Sequence, residues 1–403
     1  MRNILSAFDI GTSKVCALVA EASDDSDLAL LGYGVAPCSG LRKGVVVNIE
    51  ATVEALRAAL NEAERSAGVK IGASLVGIAG SHIKGFNSHG IVAVRGGEVG
   101  PRDVERVIEA ARAVAIPLDR QVLHVLPQQF AVDDQDGVRD PVGMAGVRLE
   151  ARIHIVTTAQ GYAQNLVKCC ERAGVSVSEL VLEPLASAES ALFPEERELG
   201  VALVDIGGGT TDIIVYHAGA VMHTAVLPLG GNHLTGDLAA GLRTALADAE
   251  KLKTSYGVAT NQVVGSDEMV RVPGVGGREP RSLARRLLGE ILEPRMEEIF
   301  VMVQRELIRS GVAEALASGL VLVGGSSLLE GTQELAERVF ELPVRRGLPV
   351  NLKGMPEELM KPMYATAAGL LLAGRSNSAS AATRLRSWSK LRSRVSGWVR
   401  DFF

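Results

Sequence analysis

Phe8-Asp9-Ile10-Gly11-Thr12-Ser13-Lys14, close to the start of the chain, and Val204-Asp205-Ile206-Gly207-Gly208-Gly209-Thr210-Thr211-Asp212, near its middle, follow one pattern. In each, an apolar run ends in an aspartate, a Gly/Thr turn follows, and a second apolar run continues from Val15 to Ala20 or from Ile213 to Tyr216. This spacing predicts a β-hairpin whose turn exposes backbone N–H groups beside a carboxylate. Glycine lets the backbone approach an anion closely, and the N–H concavity suits phosphate oxygens. The aspartate repels phosphate but can hold the waters of a Mg²⁺ that rides on it. A single turn of this kind is usually only a turn. Two of them, each heading one half of the chain, predict a duplicated domain that closes on one nucleotide.

At 403 residues the chain is long enough for at least two domains. Hydrophobic residues make up 47% and charged residues 22%, which places it among globular proteins. Aromatics are only 4%, so the core must be built from Val, Leu, Ile and Ala, as a buried α/β sheet requires. The net charge of −5 gives no general basis for nucleic-acid binding. Cys16, Cys38, Cys169 and Cys170 have neither metal-ligand spacing nor a disulfide framework, and read as reduced apolar fillers of a cytosolic protein. The chain opens directly into a strand with no signal-peptide pattern, and no apolar run is long enough to span a bilayer.

Hairpin strands are expected over 3–20 and 28–36, a helix over 50–67 and a strand at Ala73–Ala79. From about 82 to 160 the texture is that of a small inserted α/β unit. Its expected parts are a strand at Gly90–Val94, a helix opened by Pro101, and strands at Gln121–Leu126 and Ala151–Thr157. A helix over 161–174 and a strand at Glu179–Leu182 return to the first half. The second half is expected to hold one long helical stretch over 233–256, a helix over 282–310, a buried strand Leu320–Val323 and a helix Tyr364–Ala373. The Ser/Asn/Ala stretch 375–382 reads as a short linker.

The two hairpins resemble the phosphate loops of the actin / sugar-kinase / heat-shock-chaperone ATPase superfamily. Three further motifs follow in that superfamily's order: Glu183-Pro184-Leu185-Ala186, Ala249-Glu250-Lys251-Leu252-Lys253 and Gly324-Gly325-Ser326. Each alone has an ordinary reading: a solvated helix start, a surface lysine, a strand-to-helix turn. Together they imply ATP as ligand. By that resemblance Gly11, Thr12, Ser13, Lys14, Gly207, Gly208, Gly209 and Thr210 hold phosphates. Glu250, Lys253, Gly324, Gly325 and Ser326 line the nucleoside, and Asp9, Asp205 and Asp212 hold Mg²⁺ mostly through water. Glu183 is the catalytic candidate, orienting a hydrolytic water, with at most slow ATP hydrolysis expected.

Leu227-Pro228-Leu229-Gly230-Gly231-Asn232-His233-Leu234-Thr235, Val275-Gly276-Gly277-Arg278, Ile291-Leu292-Glu293-Pro294-Arg295 and Pro362-Met363-Tyr364-Ala365-Thr366-Ala367-Ala368-Gly369 narrow the resemblance to the FtsA family of actin-like bacterial cell-division proteins. It extends over essentially the whole chain and takes in Arg42-Lys43-Gly44 and Leu126-Pro127-Gln128. The fold it implies is α/β and actin-like: two duplicated halves around a nucleotide cleft. The expected boundaries are subdomain 1A at 1–81 and 161–198, an inserted subdomain 1C at 82–160, 2A at 199–235 and 301–374, and 2B at 236–300. A linker at 375–383 then precedes an amphipathic helix at 384–403. This branch lacks the subdomain that carries the chaperones' catalytic lysine, and the sequence points to no substitute for it.

The tail can be read without the family. On a helical wheel Leu385, Trp388, Leu391, Val395, Trp398, Val399, Phe402 and Phe403 fall within about 140°. Arg386, Lys390, Arg394, Arg400 and Asp401 lie opposite, with Arg392 at the edge, where its head can snorkel. Both tryptophans of the protein lie here. A helix in the plane of an anionic membrane surface fits this pattern, rings among acyl chains and arginines on headgroups. Packing on the protein's own core or on a partner protein is the ordinary alternative.

The family resemblance implies a scaffold that polymerises, tethers the tubulin-like FtsZ through its C-terminal peptide, and sits peripherally on the cytoplasmic side of the inner membrane at the division site. Later division proteins are expected on the inserted subdomain. Arg281, Arg285, Arg286 and Arg295 offer positive charge for the FtsZ peptide. A pilus-assembly scaffold and a small-molecule kinase of the same superfamily are the alternatives. The kinase lacks an evident sugar-binding cluster in the first half, and neither requires a lipid-seeking tail.

Overall fold

The computed structural model describes residues 3–23, 28–265 and 267–383. The first half contains β1 (Asn3–Ile10), β2 (Lys14–Ala22), β3 (Leu28–Pro37), a small hairpin of β4 (Leu41–Arg42) and β5 (Val45–Val46), α1 (Ile49–Ala67) and β6 (Ala73–Ile78). An inserted unit follows, with β7 (Lys84–Ala93), α2 (Pro101–Arg112), β8 (Arg120–Val132), β9 (Gln135–Val138) and β10 (Arg148–Ala159). The chain returns through α3 (Gln160–Ala173), β11 (Ser176–Leu182), α4 (Glu183–Ala191) and α5 (Pro194–Leu199).

The second half contains β12 (Val201–Ile206), β13 (Thr211–His217), β14 (Ala220–Leu227), α6 (Gly231–Leu242) and α7 (Leu246–Tyr256). It continues with β15 (Met269–Val272), β16 (Arg281–Ala284), α8 (Arg286–Arg309), β17 (Leu320–Val323), α9 (Thr332–Phe340), β18 (Val344–Arg346) and α10 (Ala365–Thr383).

The duplication is visible in the sheets. One runs β3-β2-β1-β6-β11 and the other β14-β13-β12-β17-β18. In both, the first three strands form an antiparallel meander and the last two join in parallel. The central strands are buried on both faces, so Val15–Ala20 and Val201–Val204 are continuous apolar runs. Into the first half the chain inserts a separate sheet, β7-β10-β8-β9, whose inner face (Leu149, Ala151, Ile153, Ile155) packs with α2 residues Val104, Val107 and Ile108.

Each main sheet is covered on its outer face by its own helices. Phe8 and Val15 meet Leu56 of α1 and Cys169 and Cys170 of α3, and Ile213 and Val215 meet Leu288, Met296 and Phe300 of α8. The four cysteines are buried and free, as apolar fillers should be. Between the sheets lie α4 and α10, whose small residues face both halves: Ala186, Ala367 and Ala368 toward the first sheet, Ala188, Ala191 and Ala365 toward the second. Their backbones nearly touch. A Cβ added at Gly369 would lie 1.7 Å from the Ala186 carbonyl oxygen.

Several expected bounds shift. The stretch 233–256 is two helices, because Arg243 adopts φ 51° and its N–H turns back to the carbonyls of Ala239 and Ala240, ending α6. Residues 281–284 pair as β16 instead of opening a helix. β7 starts at Lys84, well before Gly90, and β8 runs through Pro127 to Val132, with register shifts in its pairing to β10 absorbing the proline. The backbone from 375 to 383, read as a linker, is helical and continues α10. The amphipathic helix expected at 384–403 lies outside the described residues, and among those described no helix is long and apolar enough to cross a membrane.

Replacement of Gly369 by alanine should lower stability by about 3 kcal/mol or more, because the crossing of α4 and α10 must open. Gly72→Ala, where the added Cβ meets nothing within 4 Å, should stay within about 0.5 kcal/mol of the parent. Denaturant midpoints of the two variants check this, and similar midpoints would refute it.

Candidate nucleotide site

The two quoted hairpins fold alike to the residue. Gly11 N–H donates to the Lys14 carbonyl at 2.9 Å, and Gly207 N–H donates to the Thr210 carbonyl at 2.9 Å. Asp9 pairs across the strands with Cys16, and Asp205 pairs with Asp212. Lys14 therefore corresponds to Thr210, and Cys16 to Asp212. The second hairpin holds a carboxylate where the first holds a thiol.

The turns meet tip to tip. A Cβ on Gly208 would lie 2.3 Å from Ser13 Oγ, and one on Gly209 would lie 2.6 Å from Thr12 Oγ1. At Gly209, where the added Cβ would also lie 2.9 Å from the Lys43 backbone nitrogen, glycine is needed for the halves to come this close. Behind Gly207, the Gly230-Gly231 turn that opens α6 seals the loop: Gly231 and Asn232 N–H groups donate to the carbonyls of Gly207 and Gly208 at 2.9 and 2.8 Å.

Four carboxyl groups converge beneath the tips with one ammonium among them. Lys14 Nζ lies 3.2 Å from Asp9 Oδ2 and 5.1 Å from the centre of the Tyr364 ring. Burial pulls the Lys14 pKa down, but Asp9, Cys16 and Tyr364 together outweigh it and the net shift is upward. Asp205 accepts from Ser187 Oγ at 3.0 Å and from Thr366 Oγ1 at 3.3 Å. Burial raises its pKa to about 6, against the hydroxyl bond from Ser187 and helped by Asp9. Asp212 Oδ2 accepts from Thr210 Oγ1 at 2.9 Å, while its Oδ1 is buried with no partner. Burial, then the charge of Asp205, pushes Asp212 up to about 8. Glu183, the first residue of α4, is raised well above the carboxylate range by burial and then by Asp9, Asp212 and Asp205.

This donor set fits a divalent cation held through water. The orphaned Asp212 oxygen and the three neighbouring carboxyl groups offer more negative charge than the single Lys14 ammonium can balance. Among the described residues no three acidic, His or Cys side chains are arranged to hold a metal directly.

The nucleoside candidates form the rim on the second half. Lys253 Nζ contacts Glu250 Oε2 at 2.7 Å, Thr235 Oγ1 at 2.9 Å and the Gly231 carbonyl at 3.0 Å. Burial lowers the Lys253 pKa, opposed by Glu250. Ser326 Oγ lies 3.4 Å from the Gly207 carbonyl, and Gly324 sits at φ 82° against Asp205. Gly325 faces open space, where a Cβ would meet nothing within 4 Å, so a flat ring can lie on bare backbone there.

The proposed partner-binding arginines do not form one patch of free charge. Arg281 bonds the Leu242 carbonyl, Arg285 pairs with Glu268 and Glu330, and Arg295 pairs with Asp237 at 2.6 Å and with Glu298. Arg286 is exposed and has no ion pair among the described residues. The expected membrane-binding side chains from Leu385 to Phe403 lie outside the described residues. Sequence reasoning missed Ser187, Thr366 and Thr235. A hydroxyl on a helix carries no signal until the tertiary structure aims it at a carboxylate.

Two meander-plus-parallel sheets, paired phosphate-type turns and a shared helical layer make this an actin-like ATPase fold. Solved structures agree. The chain is similar to a PilM–PilN type IV pilus biogenesis complex (TM-score 0.68, 17% identity, 92% of this chain and 98% of that one). It is also similar to MreB5 of Spiroplasma citri bound to AMPPNP (TM-score 0.57, 14% identity, 94% and 98%). The profile of cell division protein FtsA matches residues 202–369, and that of the SHS2 domain inserted in FtsA matches 80–157. Cell division protein FtsA of Pseudomonas aeruginosa is 51% identical over 92% of this chain and 89% of its own length. That of Escherichia coli strain K12 is 40% identical over 100% and 99%. The chain belongs to the FtsA family and is an actin-like cell-division protein.

Because the folded pKa of Asp212 is raised, its favourable contribution is full below about pH 4 and is lost as pH rises to about 8. Asp212→Asn, which cannot ionise, should therefore melt at a higher temperature than the parent without ligands. The gap should widen from about pH 5 to about pH 8. Calorimetric scans at several pH values check this; a gap that does not change with pH would contradict it.

Proposed function

We propose that this protein is an ATP-switched scaffold: Mg²⁺·ATP joins its two halves, the closed form polymerises, and the polymer ties FtsZ to the membrane. The tip-to-tip hairpins above an under-neutralised carboxyl cluster carry this reading. Backbone N–H groups of Thr12 and Ser13 on one side and of Gly208, Gly209 and Thr210 on the other would take the phosphates, with Gly11 and Gly207 closing the two turns and Lys14 beside them. Asp9, Asp205 and Asp212 would hold Mg²⁺ through its waters. The metal would supply positive charge that lets the carboxyl groups ionise together, so binding should release protons. Glu183 would orient a water if hydrolysis occurs. Glu250, Lys253 and the Gly324-Gly325-Ser326 turn would take the nucleoside.

A clamp that touches both halves favours their closed arrangement by the difference in its affinity for the two arrangements. The membrane attachment proposed for 384–403 fits the same logic. One short amphipathic helix binds lipid marginally and reversibly. A filament that lines up many such tails gains avidity of orders of magnitude. The FtsZ C-terminal peptide is proposed to dock on the 236–300 region. Of Arg281, Arg285, Arg286 and Arg295, Arg286 alone has no side-chain partner among the described residues, while the other three would have to exchange existing partners. Later division proteins would use the inserted subdomain.

Two measurements test the reading. Sedimentation with anionic vesicles should rise when Mg²⁺·ATP is added and should be abolished by deletion of 384–403; binding that survives the deletion refutes the membrane role. Calorimetric titration of Mg²⁺·ATP near pH 7 in buffers of different ionisation enthalpy should show proton release. Asp212→Asn should reduce that release and weaken Mg²⁺-dependent affinity by roughly tenfold. Unchanged affinity would remove Asp212 from the metal site.

A further inference from the structure

The small β4–β5 hairpin has a two-residue turn, Lys43-Gly44, with φ 52° and 73°. Positive φ at both central residues is the type I′ geometry, which favours Asn, Asp or Gly first and disfavours lysine. The lysine therefore occupies a position that its backbone preference does not explain. An outlier of this kind points to function when the surroundings enforce it.

The surroundings do enforce it. A Cβ on Gly209 would lie 2.9 Å from Lys43 N and 3.0 Å from Lys43 Cα. Gly44 N–H donates to Thr12 Oγ1 at 3.4 Å, and a Cβ on Gly44 would lie 2.6 Å from Gly80 Cα. The hairpin tip is thus wedged against both phosphate-type turns and against the segment that leads into the inserted unit. Lys43 itself is half-buried and makes no hydrogen bond or ion pair among the described residues. The other lysine at these turns, Lys14, is committed to Asp9.

Position along the second turn gives the direction. The nucleoside rim touches its near end: Ser326 and Gly231 both reach the Gly207 carbonyl, and Asn232 reaches that of Gly208. Lys43 touches the far end, Gly209. A polyphosphate that starts at the rim and runs along this turn ends beside Lys43. We propose that Lys43 binds the terminal phosphate of a nucleoside triphosphate and lets the protein distinguish triphosphate from diphosphate. This rests on the nucleotide reading above. An ammonium here also offsets charge that a single magnesium ion leaves uncompensated, because four carboxyl groups and the phosphates share the site. Through Gly44 and Gly80 the same contact would transmit the presence of the terminal phosphate to the root of the inserted unit.

The test is calorimetric titration of the full chain with Mg²⁺·ATP and with Mg²⁺·ADP. The variants are Lys43→Gln, Lys43→Asn, Lys43→Arg and Arg42→Gln. Asparagine suits the left-handed turn, so Lys43→Asn should melt at or above the parent temperature without nucleotide, which separates loss of charge from misfolding. Lys43→Gln and Lys43→Asn should weaken ATP by roughly tenfold or more while ADP stays within about twofold. Lys43→Arg should retain most of the discrimination, and Arg42→Gln, at the exposed strand position, should retain all of it. Equal loss for both nucleotides, or no loss with Lys43→Asn, overturns the assignment. A parent chain that binds neither nucleotide overturns it too, by removing the nucleotide reading itself.

Discussion

The structure depends on an unbalanced charge at the junction of its halves. Asp9 and Glu183 from the first half and Asp205 and Asp212 from the second share a water-poor space with the Lys14 ammonium. Desolvation makes each ionised carboxylate costly, and each one raises the cost of the others. Such a cluster is tolerable when protonated and becomes favourable when a divalent cation enters. The orphaned Asp212 oxygen records the same imbalance as a missing hydrogen bond. The site stores a demand for positive charge.

Everything around the cluster serves to bring the two halves to it. The second sheet ends its first hairpin in Gly207-Gly208-Gly209, where bare backbone makes room for the Thr12 and Ser13 side chains of the opposite turn. The shared layer of α4 and α10 works at the other end. Its alanines and Gly369 let two helices cross at backbone contact, so the halves are held by a thin, nearly side-chain-free seam. Close packing of this kind does not deform continuously, so a seam of this kind is bistable more readily than soft. A ligand that pulls on the turns therefore acts through a short lever on the whole molecule. The inserted sheet is tied to the same lever, since Gly80 at its root abuts the Lys43-Gly44 tip.

The repeated Asp-x-Gly hairpins were legible because strand alternation, glycine turns and a carboxylate at fixed offset are local chemistry. So was the order of the later motifs, and with it the family. Local chemistry failed where a contact from elsewhere decided the outcome. Arg243 adopts a left-handed φ and splits the stretch 233–256, although nothing in Leu242-Arg243-Thr244 demands a break. Arg281, Arg285 and Arg295 read as free charge until Leu242, Glu268, Glu330 and Asp237 were brought beside them. Lys43 read as part of a familiar tripeptide. Its importance lies in a neighbour 166 positions away, Gly209.

The sequence by itself determined the duplicated α/β plan, the two phosphate-type turns, the acidic residues beside them and the family to which the chain belongs. Each of these is written in residues near one another, where propensity and spacing act directly. The tertiary structure decided which carboxyl groups share one space, how far their protonation is displaced, and which lysine is spent and which is free. Those are properties of distance and burial between segments far apart in the chain, and electrostatic energy depends on separation in space rather than in sequence.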